Sequence, residues 1–344
     1  MLAAVTELVR SMKIVDRPEP GEPGPGEMVV APDAVGICGS DYHFFSGHLS
    51  EEAGGNQFPR VQGHEVGAVI RAVGSDCRPE LSVGQRVALL PIHACGHCYP
   101  CSVDRPNACV NFQLIGIHLD GGLQQLLSIG QEQVFPVRTD DGALAALVEP
   151  VSIAVRAVRR GAIAAGERVV VLGAGPIGQC ICLVARELGA EVLAIDVQPE
   201  RLEQAAALGA ETLPWSDGDS VVTAARTWAG GTGPPVAVDA TGVPSAVRAM
   251  VDMVASAGRA VQVGMSTHEV PLRIGSLTEK ELDLRGVCCC TRDDFAEAVA
   301  VVERNPEAVG RLVSHEFALA QAPEALSFAM SNPTEVMKVM IRGA

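Results

Sequence analysis

Four cysteines stand close together in the stretch CGHCYPCSVDRPNAC, at Cys95, Cys98, Cys101 and Cys109. Four thiolates at this spacing supply a complete tetrahedral set for one zinc ion. No coordination position is left for a substrate, so this zinc would be structural. Reduced thiols without metal, or an iron–sulfur cluster on a related spacing, are the alternatives. A second set is scattered. Cys38 lies in GICGSD, His64 and Glu65 lie in GHE, and Glu149 lies in VEP. One thiolate, one imidazole and one or two carboxylates suit a catalytic zinc with one position kept open. Spacing does not connect these residues, and a buried Cys38 with a solvated Glu65 is the plainer alternative.

A third pattern concerns phosphate. Val169–Gly178 reads VVVLGAGPIG, with Gly173, Gly175 and Gly178 directly after an apolar strand and at the opening of a helix. The first glycine allows the tight turn, the second lets a pyrophosphate approach the backbone, and the third lets helix and strand pack closely. The helix N-terminus offers free N–H groups and the positive end of its dipole. Asp196 ends the next strand and is followed by Val197 and Gln198 rather than by a cationic pair. A carboxylate there accepts ribose hydroxyls and repels a 2′-phosphate, which favours NAD over NADP. Arg201 is placed to lie over the adenosine ribose. The alternative is a βαβ turn that binds nothing.

These groups need elements to position them. The chain has 344 residues, enough for two domains with cores of their own. Residues 18–27, PEPGEPGPGE, cannot be helical and are expected to link early strands. Short strands such as Met28–Ala31, Glu65–Val73 and Arg86–Leu90, separated by many turns, predict an irregular β-rich domain to about residue 147. Beyond Glu149 a helix is expected over 151–160. Apolar strands at Val169–Leu172, Glu191–Ile195, Val236–Ala240 and Arg259–Val263 then alternate with helices at Pro176–Leu188, Arg201–Leu208 and Ser245–Val254. That alternation predicts βαβ units and a parallel sheet. From Thr291 the pattern is mixed, and Val336–Ile341 is a last strand candidate.

Composition narrows the function classes. Hydrophobic residues make up 48% and charged residues 19%, which excludes a disordered chain. A formal net charge of −15 argues against nucleic acid as a partner. The longest uncharged run, Val169–Ala185, is short for a membrane span and holds three glycines and a proline. Glu7, Arg10 and Lys13 break up any apolar leader. Eleven cysteines without an export signal are expected in a reducing cytoplasm, where clustered thiols bind metal.

Taken together, the motifs resemble the zinc-dependent medium-chain alcohol dehydrogenases, in their polyol (sorbitol) dehydrogenase branch. The resemblance spans essentially the whole chain. It rests on GICGSDYH at 36–43, GHEVGAVI at 63–70, the four-cysteine lobe, VEPVSIAVRAVRRG at 148–161, VVVLGAGPIG at 169–178 and DATG at 239–242. It implies an α/β protein with a GroES-like catalytic domain over 1–150 and 289–344. That domain would carry a structural zinc lobe at about 91–111. A Rossmann domain over 151–288 would bind NAD.

By matching position, Cys38, His64 and either Glu65 or Glu149 would hold the catalytic zinc, and Cys95, Cys98, Cys101 and Cys109 the structural one. Two zinc ions per chain follow. A carboxylate at 149, where liver-type enzymes have cysteine, points to the polyol branch. Lys338 would supply a cation near the site, paired with Glu65. Ser40 would touch the substrate hydroxyl, and His43 would relay its proton to solvent. The cofactor would meet Gly173, Gly175, Pro176, Ile177, Gly178, Asp196, Arg201, Thr241 and Val263, with main-chain contact at Cys288 and Cys289.

The runs IGIHLDGG at 115–122, Val148–Gly161 with its VRRG ending and TRDDF at 291–295 resemble sugar-acid dehydrogenases of the L-galactonate 5-dehydrogenase kind. The expected reaction is hydride transfer from a secondary alcohol of a polyol or sugar acid to NAD. An amino-alcohol enzyme like threonine 3-dehydrogenase is the second reading. Such enzymes tend to carry a histidine three residues before the first lobe cysteine, where this chain has Ile92, with His93 displaced by one. A binding protein that keeps the fold without turnover is the third. Tyr42, Phe44, Phe45, Phe112 and His118 are candidate pocket residues, and the family implies a homodimer or homotetramer.

Overall fold

The computed structural model describes residues 1–49, 56–266 and 268–343. It divides into two compact units, Met1–Glu149 with Thr291–Ala344, and Pro150–Cys290.

In the first unit the chain opens with β1 (Leu2–Leu8) and β2 (Ser11–Asp16), an antiparallel hairpin. The charged residues that break up an apolar leader are compatible with this pairing, since Glu7 and Lys13 form a surface ion pair at 2.6 Å. The Pro/Gly-rich segment then leads to β3 (Glu27–Gly36) and the short helix α1 (Gly39–Phe45). Next come β4 (Arg60–Val61), β5 (Glu65–Val73), β6 (Arg86–Leu89) and β7 (Ile92–His93). The cysteine lobe holds one helical turn, α2 (Tyr99–Ser102), and is followed by β8 (Gln113–Leu114). β9 (Leu127–Gly130), β10 (Val134–Pro136) and α3 (Gly142–Ala146) complete this stretch. Helix α4 (Val148–Gly161) has Glu149 in its first turn and runs into the second unit.

The second unit alternates strands and helices. These are β11 (Arg168–Leu172), α5 (Pro176–Glu187), β12 (Glu191–Asp196), α6 (Pro199–Ala207), β13 (Glu211–Pro214) and α7 (Gly218–Trp228). They continue as β14 (Val236–Asp239), α8 (Pro244–Met253), β15 (Arg259–Gln262), α9 (Ile274–Glu279) and β16 (Asp283–Gly286). The six strands form one parallel sheet in the order β13-β12-β11-β14-β15-β16. This is the doubly wound order whose direction reverses between β11 and β14, where ligands bind at the carboxyl ends of strands. Val169, Val170, Val171 and Leu172 are all fully buried, as strands covered on both faces require.

The chain returns to the first unit with α10 (Arg292–Arg304), α11 (Pro306–Gly310), β17 (Val313–Ala318), α12 (Ala322–Ser331) and β18 (Lys338–Arg342). The last strand starts at Lys338, two residues later than the apolar run indicates, because the Val336 N–H still bonds back to the Asn332 carbonyl in the preceding turn. Its pairing with β3 builds the seven-stranded mixed sheet β10-β6-β5-β3-β18-β17, with β9 also on β3. Three strand ends therefore converge. Gly36 at the end of β3 pairs with Glu65 at the start of β5, and with Met340 in β18. Phe44 and Phe45 anchor α1 in the core at 0% and 6% exposure. Each is worth about 1.5–3 kcal/mol of burial. No helix among the described residues is long and apolar enough to cross a membrane.

Candidate active site

The convergence of β3, β5 and β18 gathers residues far apart in sequence. The donor atoms of Cys38, His64 and Glu65 lie within 4.8 Å of one another. Cys38 follows β3 and opens α1, while His64 directly precedes β5 and Glu65 begins it. Lys338, first in β18, donates from Nζ to Glu65 Oε1 at 2.6 Å and to the Ile37 carbonyl at 3.2 Å. Burial works against the lysine charge, but Glu65 and Cys38 outweigh it and hold its pKa above the ordinary lysine value. A Cβ on Gly36 would stand 2.0 Å from Glu65 Oε2, so the carboxylate needs glycine on the facing strand.

The histidine is oriented from behind. His64 Nδ1 lies 3.7 Å from Asp41 Oδ2, and its Nε2 lies 3.4 Å from Ser40 Oγ. Asp41 is fully buried. It accepts from the backbone N–H groups of Cys38 (2.9 Å) and Gly63 (3.4 Å), and from Gln62 Nε2 at 3.3 Å. Gln62 is in turn held by the Thr6 hydroxyl at 2.6 Å. Burial pushes the Asp41 carboxyl up from its ordinary value. Burial also disfavours a charged His64, yet Asp41, Cys38 and Glu149 together raise its pKa well above the ordinary value. Asp41 and Gln62 were not singled out from sequence. The available signal was the acid three residues after Cys38, suited to bond the N–H that opens the helix.

Glu149 is 7% exposed and lies outside the 4.8 Å group. Burial pushes its pKa up to about 7 against the pull of His64 and Lys338, and Glu65 adds to the rise. Ser40 and His43 are three residues apart on α1, on one face of the helix. A divalent cation suits this set. It joins a soft sulfur to nitrogen and oxygen donors, and Glu65 Oε2 is buried without a hydrogen-bond partner.

The lobe thiols also lie within 4.8 Å of one another. Their Sγ separations are 3.4 Å for Cys98–Cys101, 3.5 Å for Cys95–Cys109 and 3.6 Å for Cys98–Cys109. Four sulfurs bound at about 2.3 Å to one tetrahedral ion stand about 3.8 Å apart, so the group is close to zinc dimensions. Backbone N–H groups of Cys95 and Asn111 point at Cys109 Sγ, both at 3.3 Å. The N–H groups of His97 and Cys98 bring Cys95 down to about 5, whereas burial and the neighbouring sulfurs push Cys101 up to about 12. Four adjacent thiols cannot all ionise without a cation.

In the second unit, Gly173 takes φ +91 as β11 turns into α5, beside the Thr241 methyl. A Cβ on Gly178 would meet the Gly173 carbonyl at 1.8 Å, which is the close helix–strand packing the third glycine permits. Pro176 and Ile177 form the first turn of α5. Asp196 is buried and accepts from the Ala174 N–H at 2.6 Å and the Gln198 N–H at 2.8 Å. It thus ties the second strand end to the glycine turn, with lone pairs left for a ligand hydroxyl. Gln179 Nε2 bridges the carbonyls of Ala174 and Arg201. Asp239, fully buried, accepts from the backbone and hydroxyl of Thr241, from the Gly242 N–H and from Gln262, and its carbonyl receives the Val263 N–H. Cys288 and Cys289 follow the edge strand β16, at the carboxyl end of the same sheet.

Of the aromatic pocket candidates, Phe44 and Phe45 are core, and Tyr42 packs against that core. Phe112 and His118 meet edge to face at 5.9 Å and line a cavity of about 500 Å³ with Gln57 and His93.

The alcohol dehydrogenase GroES-like domain family matches residues 24–139, and the zinc-binding dehydrogenase family matches 176–304. L-galactonate-5-dehydrogenase of Escherichia coli K12 is 33% identical over 93% of this chain and 92% of its own length. Sorbitol dehydrogenase of Bacillus subtilis is 29% identical over 99% and 97%. Among solved structures, an alcohol dehydrogenase of E. coli CFT073 complexed with NADH is 30% identical, with TM-score 0.88 over 99% of both chains. A Sinorhizobium meliloti 1021 protein bound to NADP is 28% identical, with TM-score 0.90 over 99% and 98%. The chain belongs to the zinc-type medium-chain alcohol dehydrogenase family.

Proposed function

We propose that this protein oxidises a secondary alcohol of a polyol or sugar acid and passes the hydride to NAD. The carrying observation is the buried Cys38–His64–Glu65 group, backed by Lys338 and Asp41, in a chain that also has a complete dinucleotide turn. The unit formed by Met1–Glu149 and Thr291–Ala344 is the catalytic domain, and Pro150–Cys290 is the NAD-binding domain.

Cys38, His64 and Glu65 hold the catalytic zinc. Glu65 is chosen over Glu149 as the direct ligand because its Oε2 remains available while Lys338 neutralises Oε1. Glu149 lies buried near them, outside the ligand group. The lobe cysteines hold a second, structural zinc. When bound, zinc would supply Lewis-acid polarisation of the substrate hydroxyl, and NAD would supply the acceptor for the hydride of the carbon that bears that hydroxyl. Ser40 Oγ receives the hydroxyl proton, and His43, one turn along α1, passes it towards solvent. Asp41 keeps the His64 ring turned so that Nε2 faces the donors. The N–H groups opening α5 hold the pyrophosphate, and Asp196 takes the adenosine ribose hydroxyls beside Arg201. Thr241, Val263 and the main chain at Cys288 and Cys289 flank the nicotinamide end.

NAD is preferred over NADP because the Asp196 carboxylate would face a 2′-phosphate. Eleven cysteines without a disulfide fit a reducing cytoplasm. A homodimer or homotetramer is the family's usual assembly, which light scattering can read.

The test is a screen for NADH formation over polyols, aldonates, L-threonine and simple alcohols, with zinc measured on the same sample. Turnover of an aldonate or polyol with about two zinc ions per chain supports the proposal. Turnover of threonine alone refutes it. Asp196→Ala is expected to shift the NAD/NADP ratio of kcat/KM by about tenfold towards NADP. A wild-type preference for NADP overturns the assignment of Asp196.

A further inference from the structure

Residues 288–290 are three consecutive cysteines immediately after β16, at the carboxyl end of the edge strand. Neither metal-binding group uses them. Cys290 is buried at 1% exposure, Cys289 is half-buried and Cys288 is exposed. In extended chain, successive side chains point to opposite faces. Here Cys289 takes φ +44, a left-handed conformation that a residue with a Cβ enters only at a cost. With that bend, the Sγ atoms of Cys288 and Cys289 come within 4.0 Å. The contact with Cys289 and the Arg156 guanidinium bring the Cys288 thiol down to about 7. An accessible thiol with thiolate character beside a second thiol is the arrangement of oxidant-sensing cysteines.

We propose that Cys288 and Cys289 form a vicinal dithiol that a hydroperoxide closes to a disulfide, and that closure weakens dinucleotide binding. The Cys288 thiolate attacks the hydroperoxide, the O–O bond breaks, and the leaving oxygen departs as an alcohol after taking a proton. Cys288 is then a sulfenic acid. The Cys289 sulfur attacks it, the S–O bond breaks, and the oxygen leaves as water with the Cys289 proton. Two thiols lose two electrons in all, and one hydroperoxide is reduced to alcohol and water. Adjacent Cα atoms stand about 3.8 Å apart, below the usual disulfide span of about 4.4–6.8 Å. The ring is therefore strained and readily reopened by a thiol reductant. Drawing the sulfurs from 4.0 Å to bonding distance moves the main chain at 288–289. The effect on binding rests on the assignment of that main chain to the nicotinamide end.

The experiment treats the full-length, zinc-loaded protein with hydrogen peroxide, alkylates the remaining thiols and digests with trypsin. Cleavage after Arg285 and Arg292 isolates Gly286–Arg292. The expected peptide is two hydrogens lighter, alkylated only at Cys290, and returns to three alkylated cysteines after dithiothreitol. On the same sample the NADH dissociation constant, read by fluorescence, rises about tenfold and recovers on reduction. In Cys289→Ser the NADH titration no longer responds to peroxide. The proposal is overturned if the treated peptide keeps three alkylated cysteines, if peroxide weakens NADH binding in Cys288→Ser as it does in the wild type, or if the ring closes with NADH binding unchanged. A reduced protein that does not bind NADH refutes the dinucleotide assignment instead, and the peptide mass still reads the dithiol.

Discussion

The thiol lobe draws all four donors from the stretch between Cys95 and Cys109, whereas the Cys38–His64–Glu65 group needs β3, β5 and β18 to meet. The lobe donors are of one kind, three of the four are half-buried, and short-range backbone N–H groups quiet their charge. The other group mixes sulfur, nitrogen and oxygen and is more deeply buried. Its charge is balanced by a lysine contributed 273 residues away along the chain. Proximity along the chain makes a closed site inexpensive to form, because little loop entropy is lost. An open site requires a scaffold that holds unlike donors while leaving one direction free. Structural and catalytic zinc are therefore expected to respond differently to substitution.

The largest separation is expected from Cys38→Ser. It should lower kcat/KM by on the order of 10⁴-fold, about 5.5 kcal/mol, and remove one zinc while NADH still binds. Normal turnover in this variant would erase the distinction between the groups. Lys338→Met leaves Glu65 buried beside no cation of the chain and should cost about 3–5 kcal/mol in denaturant unfolding of the chelated protein. Adding Glu65→Gln should recover part of that loss, and a double variant no better than the single one would show that the pair is not coupled. In the lobe, Cys98→Ser should release the other zinc and lower Tm by about 5–10 °C, equivalent to about 2–3 kcal/mol. The kcat of the remaining folded protein should change far less than in Cys38→Ser, and equal losses would mean that both zincs serve the same end. The smallest effect is expected for Asp41→Asn, which keeps the shape of the acid and removes its charge. Competition with a chromophoric chelator should show about 10–100-fold weaker zinc at the active site and unchanged zinc in the lobe.

Legibility followed the same division. The lobe, the glycine turn and the alternating strands and helices of the second unit are local patterns, visible as spacing and period. The Cys38 group became visible only through its resemblance to a family. Nothing in the spacing of Cys38 from His64 and Glu65 indicates that they meet. Asp41 and Gln62 escaped notice because their importance lies in what they touch, and the pocket aromatics split for the same reason. Phe44 and Phe45 turned inward as core, while Phe112 and His118 line a cavity. The opening hairpin was missed because its charged residues were weighed only against a leader peptide.

The amino-acid order alone was enough to indicate a β-rich stretch followed by a parallel sheet with a glycine turn, and a four-thiol lobe. Each depends on residues close in the chain, where backbone geometry translates spacing directly into position. The convergence of three strand ends, the pairing of Lys338 with Glu65 and the carboxylate behind His64 were decided by the folded chain. These contacts depend on strand register, and a shift of one residue would turn Glu65 and Lys338 to the opposite face. That register is held by the packed core and its closely approached glycine, not by any local signal around the residues themselves.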